Sequence, residues 1–264
     1  MYIQEGEMKI PQAEVYILGA WHPMYRDLLE LPGKVGVLWT SSPGEMDFEP
    51  VEREYLDFLR NSPQVKFIWF GDVSLARCYP EKSFWAPYPL EVEGELEPYL
   101  KVIKKKDIAT LLCPSGPKKN IYNQLLAMKL VQREKDVKLT LYTNVTGYDD
   151  ILSEIDHVKV GWLGEFDYRT LVASAKVNLA CSWAETFNYN VAEAIILGTQ
   201  SVISKTIPHD GSVVENPNDP EEIARNIRLV AKLTVEAYPK GYPEYQRHNM
   251  ECKETLTSQL ASLK

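Results

Sequence analysis

Val177-Asn-Leu-Ala-Cys181, then Ser-Trp-Ala, then Glu185-Thr-Phe-Asn-Tyr-Asn-Val-Ala-Glu193-Ala-Ile-Ile-Leu-Gly198 is the stretch that decides the architecture. The first run is apolar and reads as a buried strand. Val191, Ala194 and Ile195 recur at helical spacing over 189–197, and Gly198 supplies the C-terminal stop. Glu185 therefore sits in a strand-to-helix loop and Glu193 about one turn inside the helix, so two carboxylates converge on one helix N-terminus. The amides and positive dipole end there suit a phosphate, and the carboxylates suit sugar or ribose hydroxyls. A nucleotide-sugar offers both groups.

Working outward, strands and helices alternate through the second part of the chain. Apolar Ile108–Cys113, helix Lys119–Gln132, strand Val137–Tyr142, helix Asp149–Ile155 and strand Val158–Leu163 lead to helix Asp167–Ser174 and the quoted stretch. Strand Ser201–Ser204 and a helix capped by Asp219 with Pro220 at its first position follow. Such alternation means βαβ crossovers and a parallel sheet, which binds ligands beyond the carboxyl ends of its strands. Val15–Ala20, Lys34–Thr40 and Val65–Phe70, with a helix near Glu52–Arg60, predict a smaller α/β unit ahead of it. The proline-rich Tyr79–Leu90 reads as the connection. The expected organisation is residues 1–90, residues 91–235, and a helical tail over 236–264.

The chain has 264 residues, a formal charge of −8 and a sequence pI near 5.2, which argues against a general nucleic-acid binder. The one basic run, Lys101–Lys106, reads as a solvated face or linker. Cys78, Cys113, Cys181 and Cys252 form no CxxC pair, so neither a zinc site nor a disulfide framework is suggested and a reducing cytoplasm fits. No apolar stretch approaches the roughly 20 residues that span a bilayer. A soluble, cytoplasmic protein is expected, with peripheral membrane association left open.

A second constellation, Cys113-Pro-Ser115-Gly116-Pro-Lys118-Lys119-Asn120, runs from a strand into a helix. Lysines disfavour a helix N-terminus, and something anionic would offset that cost. In the first unit His22, in Leu18-Gly-Ala-Trp-His-Pro23, follows a strand and is the catalytic candidate there. Trp39–Gly44 and Gly71-Asp72 also end strands and would face the same ligand. His157, His209 and His248 read as surface residues, and Phe84, Trp85 and Tyr88 as interdomain packing.

Lys119-Asn120, Trp162-Leu163-Gly164, Ser182 ahead of Glu185, Glu193-Ala194 and Gly198 together resemble the C-terminal domain of the GT-B glycosyltransferases of group 1, the retaining family 4-like set. The resemblance implies two Rossmann-like domains, parallel sheets with helices on both faces. It implies that Lys119, with Lys118, meets the donor diphosphate, that Ser115 and Gly116 line the same loop, and that Glu193 holds ribose hydroxyls. Glu185 would touch the transferred sugar and serve catalysis. Amides near Asn188, Tyr189 and Asn190 would receive phosphate, and Gly164 would flank the base. The substrate would be a UDP- or GDP-hexose and the acceptor a glycan, lipid, protein or small molecule, with no cofactor and no metal. Three departures stand out. The family's arginine five residues before the lysine falls on Pro114, its glycine after phenylalanine is Asn188, and residues 1–90 are about half the customary acceptor-side domain. Two alternatives remain open: a binding or regulatory protein that keeps the site without turnover, and a sugar-nucleotide epimerase or hydrolase.

Overall fold

Val65–Phe70 forms a strand over the expected residues, β3 of a four-stranded parallel sheet made with β1 (Val15–Gly19), β2 (Lys34–Trp39) and β4 (Ser83–Trp85) in the order β1-β2-β3-β4. The computed structural model describes residues 14–19, 33–86, 88, 90, 99, 105–114, 116–134, 137–233 and 242–262. Two units divide the chain, Met1–Ala86 and Pro87–Lys264.

In the first unit, α1 (Pro43–Phe48) and α2 (Pro50–Asn61) join β2 to β3. Val35, Val37, Trp39, Tyr55, Leu56, Leu59, Ile68 and Phe70 form its core. Strand β4 corrects the reading of 79–90 as a bare connection. Its three residues pair with Ile68, Trp69 and Phe70, and the Trp69 indole donates to Ala86 O at 2.8 Å. Helix α3 (Val73–Cys78), absent from the sequence reading, links β3 to β4. The two loops expected to face the cleft form helix caps. Ser42 and Glu45 form a capping box at the start of α1, and Asp72 accepts from the amides of Ser74 and Leu75 at 2.8 and 2.9 Å.

The second unit runs β5 (Lys106–Leu111), a 3₁₀ turn (Pro117–Lys119), α4 (Ile121–Arg133), β6 (Thr140–Thr143), α5 (Asp149–Leu152) and β7 (His157–Lys159). It continues through α6 (Glu165–Ser174), β8 (Ala175–Ala180), α7 (Tyr189–Ile196), β9 (Gln200–Ser204), β10 (Ser212–Val214), α8 (Pro220–Lys232) and α9 (Tyr242–Ser262). Six parallel strands take the order β10-β9-β8-β5-β6-β7. Successive strand residues face opposite sides of a sheet. Leu179 and Val202 accordingly pack with Leu125 and Met128 of α4 and Ile223 and Ile227 of α8, while Ala180 and Ile203 pack with Val191 of α7. Helices thus cover both faces of this sheet.

The basic run behaves differently from a solvated face at Lys105. Its ammonium donates to Ala173 O at 2.6 Å and Thr199 Oγ1 at 2.8 Å, and burial lowers its pKa to about 8. Gly36 on β2 lies opposite Phe67 on β3, and a Cβ added there would come within 2.0 Å of the phenyl ring. The ring fills the place of the missing side chain. Gly36→Ala is expected to destabilise the first unit by about 1–3 kcal/mol through overpacking. Urea unfolding checks this, and an unchanged midpoint would refute it.

Candidate functional site

Strands β5 and β8 are neighbours from which the chain winds outward in opposite directions, to β6 and β7 on one side and to β9 and β10 on the other. Loops leaving the carboxyl ends of such a pair diverge and open a crevice, the place where open α/β sheets take ligands. Here the loop after β5 carries Gly116, Lys118 and Lys119, and the loop after β8 carries Glu185.

Backbone and side chains stitch those loops together. Asn120 closes the 3₁₀ turn in a left-handed conformation (φ 51°, ψ 39°), which asparagine tolerates better than most residues. Its buried amide donates to Cys181 O at 3.0 Å and to Pro217 O at 2.6 Å. Gln124 adds a second tie, donating to Lys119 O at 2.8 Å and accepting from Cys181 N at 2.9 Å. Trp183 N donates to Lys118 O at 2.8 Å. The result is that Lys119 forms an ion pair with Glu185, whose Oε1 also accepts from Ser182 Oγ at 3.0 Å. Their side chains are only 15% and 6% exposed. Beside them the Cys113 thiol is pushed up to about 11, by burial first, with Lys119 opposing and Glu185 adding to the shift. It is no thiolate nucleophile at neutral pH.

Asn188 begins α7 with φ 61°, its side chain accepting from Val191 N at 3.1 Å. The asparagine therefore does adopt the backbone that a glycine would take there. Tyr189 is exposed, while Asn190 donates to the Tyr168 hydroxyl at 2.9 Å. Glu193, on the following turn, lies close enough for its charge to add to burial in raising the Tyr168 pKa. Burial raises the Glu193 pKa, while Tyr168 and Arg169 act against the shift. The two glutamates thus have separate surroundings, Lys119 and Ser182 beside one and Tyr168 and Arg169 near the other. Gly164 caps α6, and Trp162, on the loop before it, is 96% exposed. His22 and Ser115 lie outside the described residues.

The sequence reading passed over a cluster on the other side of Phe187. His209 stands edge-on to the Phe187 ring with centroids 4.6 Å apart, and His248 of α9 stacks on it at 5.6 Å. Both histidines are half-buried rather than fully exposed. Burial lowers the His209 pKa to about 4, and His248 bonds Tyr88 O at 2.8 Å. Tyr88 itself packs on Phe187 and Tyr189, whereas Phe84 packs on Phe67 and Trp69 within the first unit. Spacing gave no hint of this cluster, because its members are distant in sequence.

Among the described residues, no group of three or more His, Cys, Asp or Glu side chains is placed to hold a metal ion. No described helix is long and apolar enough to cross a membrane.

Residues 108–232, from β5 through α8, match the family model for glycosyl transferases group 1. No curated protein sequence matches the chain. Solved structures do match its fold. One is trehalose-6-phosphate from E. coli bound with UDP-2-fluoro glucose, at TM-score 0.65 and 12% identity, covering 94% of this chain and 73% of that one. Another is an alpha,alpha-trehalose-phosphate synthase (UDP-forming) from Burkholderia xenovorans in complex with glucose-6-phosphate, at 0.64 and 10%, covering 89% and 70%. A third is a trehalose-6-phosphate synthase, the subject of bisubstrate glycomimetics addressing glycosyltransfer with retention, at 0.66 and 12%, covering 96% and 74%. At such identities the likeness shows the fold, an α/β GT-B architecture of two parallel-sheet units with helices. The family match on that fold supports a glycosyltransferase.

Asn120 supplies a direct check on the stitching. Asn120→Ala removes the side-chain bonds and leaves a β-carbon in left-handed backbone, and is expected to cost about 2–4 kcal/mol in urea unfolding. Asn120→Gly relieves the backbone part alone and should recover about 1 kcal/mol. Equal losses in both variants would deny the backbone contribution.

Proposed function

We propose that the chain is a glycosyltransferase that moves a hexose from a nucleotide-sugar donor to a hydroxyl acceptor, with retention and without a metal ion. The observation that carries this reading is the Lys119–Glu185 pair held at the switch point between β5 and β8. It sets a cation and an acceptor of hydroxyl bonds side by side, matching the two halves of a sugar diphosphate. The family match over 108–232 supports the same donor class. Retention is supported by the motif resemblance.

In this reading the diphosphate draws the Lys119 ammonium, assisted by Lys118 and the first-turn amides of α7. Glu185, released from its lysine, accepts from a hydroxyl of the sugar. As the bond from the anomeric carbon to phosphate breaks, negative charge grows on the leaving diphosphate, and the fixed cation and amides stabilise it without reorganising. Glu193 holds the ribose hydroxyls, far from the breaking bond. The acceptor is a sugar phosphate or another hydroxyl compound. Uridine leads among the bases, because two of the structural matches carry UDP in their descriptions.

A ligand that binds only the folded state raises apparent stability. UDP-, GDP- and ADP-glucose at about 100 times Kd should therefore shift the melting midpoint for one base and not the others, equally with excess EDTA. A shift that vanishes with EDTA and returns with Mn²⁺ would overturn the metal-free reading.

Lys119→Ala should lower kcat/KM by about 30- to 1000-fold, the equivalent of about 2–4 kcal/mol of transition-state stabilisation, with the fold intact. Lys118→Ala should cost less. Steady-state rates of nucleotide release decide the matter, and no loss in either variant would leave Lys119 a structural ion-pair partner and Lys118 without a role in the donor site.

A further inference from the structure

Asn188 holds a left-handed backbone (φ 61°, ψ 79°) at the start of α7, a conformation sterically disfavoured for a residue with a β-carbon. Such a residue persists where its surroundings fix it from more than one side. Its own side chain supplies one constraint, accepting from Val191 N at 3.1 Å. Its two chain neighbours supply the other: the rings of Phe187 and Tyr189 pack on each other with centroids 4.9 Å apart.

Both neighbours are gripped by side chains from outside the matched residues 108–232. His248 of α9 stacks on the buried Phe187, centroids 5.6 Å and planes 25° apart. Its Nε2 bonds Tyr88 O at 2.8 Å, and since a carbonyl only accepts, that nitrogen carries a proton. Tyr88 in turn stands edge-on to Phe187 at 5.9 Å and stacks on Tyr189 at 6.5 Å. The next residue of α9 secures the arrangement, for the buried Asn249 carboxamide accepts from Leu90 N at 2.8 Å and donates to Leu90 O. Two consecutive residues of α9 therefore hold Tyr88 and Leu90, and His248 with Tyr88 holds the residues on either side of Asn188. Phe187, His209 and His248 also border a cleft of about 330 Å³ walled in part by Ile195 and Ile207. A phenyl ring released from the imidazole has room to turn there, and its turning would swing the peptide that leads into Asn188.

We propose that His248 is a positioning residue for the diphosphate: by stacking on Phe187 and binding Tyr88 it fixes Asn188, and with it the first-turn amides of α7 that receive the phosphate. The inference rests on the donor reading above and extends it to α9. His248 does not touch the ligand. Its contribution passes through Phe187, so its loss weakens the grip on phosphate and leaves the grip on base and ribose.

Titration calorimetry with UDP, GDP and ADP, followed by displacement of the bound diphosphate with the matching nucleoside, tests this in the wild type, H248A, H248F, F187L and the double variant F187L/H248A. The wild type is expected to bind one diphosphate. H248A should weaken that diphosphate by about 5- to 20-fold, the scale of an anion's attraction to a helix N-terminus, and the nucleoside by less than about twofold. H248F keeps a flat ring over Phe187 and should recover diphosphate binding to within about threefold of the wild type. On the F187L background H248A should cost less than about twofold, since the two rings act as one unit. Should H248A not fold, Tyr88→Leu releases Phe187 and Tyr189 from the other side and is read in the same way. Equal weakening of diphosphate and nucleoside, no recovery in H248F, or wild-type binding in H248A overturns the role of His248 while sparing the donor reading. A wild type that binds none of the diphosphates overturns the donor reading and this inference with it.

Discussion

The carboxamide of Asn120 donates to carbonyls from two other segments, Cys181 at the end of β8 and Pro217 ahead of α8. Three loops are thereby tied at one buried point, and none can shift without leaving a polar group unsatisfied in a place water does not reach. The left-handed backbone at Asn120 aims that carboxamide, and Asn123 holds its oxygen at 2.7 Å. The meeting of Lys119 with Glu185 follows from this knot. Lys119, one residue earlier, has its backbone fixed by Gln124, and its side chain is directed to the loop on the neighbouring strand.

The sheet beneath shares the habit of pairing polar groups across strands. Thr110 on β5 bonds Asn178 on β8 at 3.1 Å, and Asn178 bonds Ser201 on β9 at 3.1 Å, all three nearly inaccessible to solvent. At the carboxyl end Ser204 donates to Ser182 O at 2.5 Å. A buried polar row with every member satisfied resists a slip in register, because a shift of one residue would orphan the whole set. The strand ends, and the loops that spring from them, are held to a single relative height by it.

Much of the second unit was legible because its periodicities are clean. Asp219 and Pro220 start α8 as expected, and Gly198, at φ 71°, follows α7 as its C-terminal glycine. Lys119 and Glu185, singled out separately in the sequence, form an ion pair across 66 residues of chain. What escaped reading did so for physical reasons. Strand β4 has three residues between prolines, too few to show an alternation, and takes its place from pairing with β3. Tyr168 lies in a short helix among polar neighbours, with nothing local to announce that its hydroxyl reaches α7. The partial burial of His209 and His248 accompanies the return of α9 to Phe187, a tertiary event with no pattern of its own.

The Lys119–Glu185 pair has a consequence for what the crevice will accept. An anion drawn to Lys119 must take the ammonium from a carboxylate that is 6% exposed, and among the described residues that carboxylate then keeps its bond from Ser182. Stranding a buried charge is costly, commonly by several kcal/mol. Inorganic phosphate or pyrophosphate satisfies one member of the pair and abandons the other, and brings more negative charge besides. A molecule that carries its anion and a hydroxyl on the same frame leaves no one stranded. The pair thus carries its own counter-charge, and in the donor reading it yields to a molecule that can replace both of its halves at once.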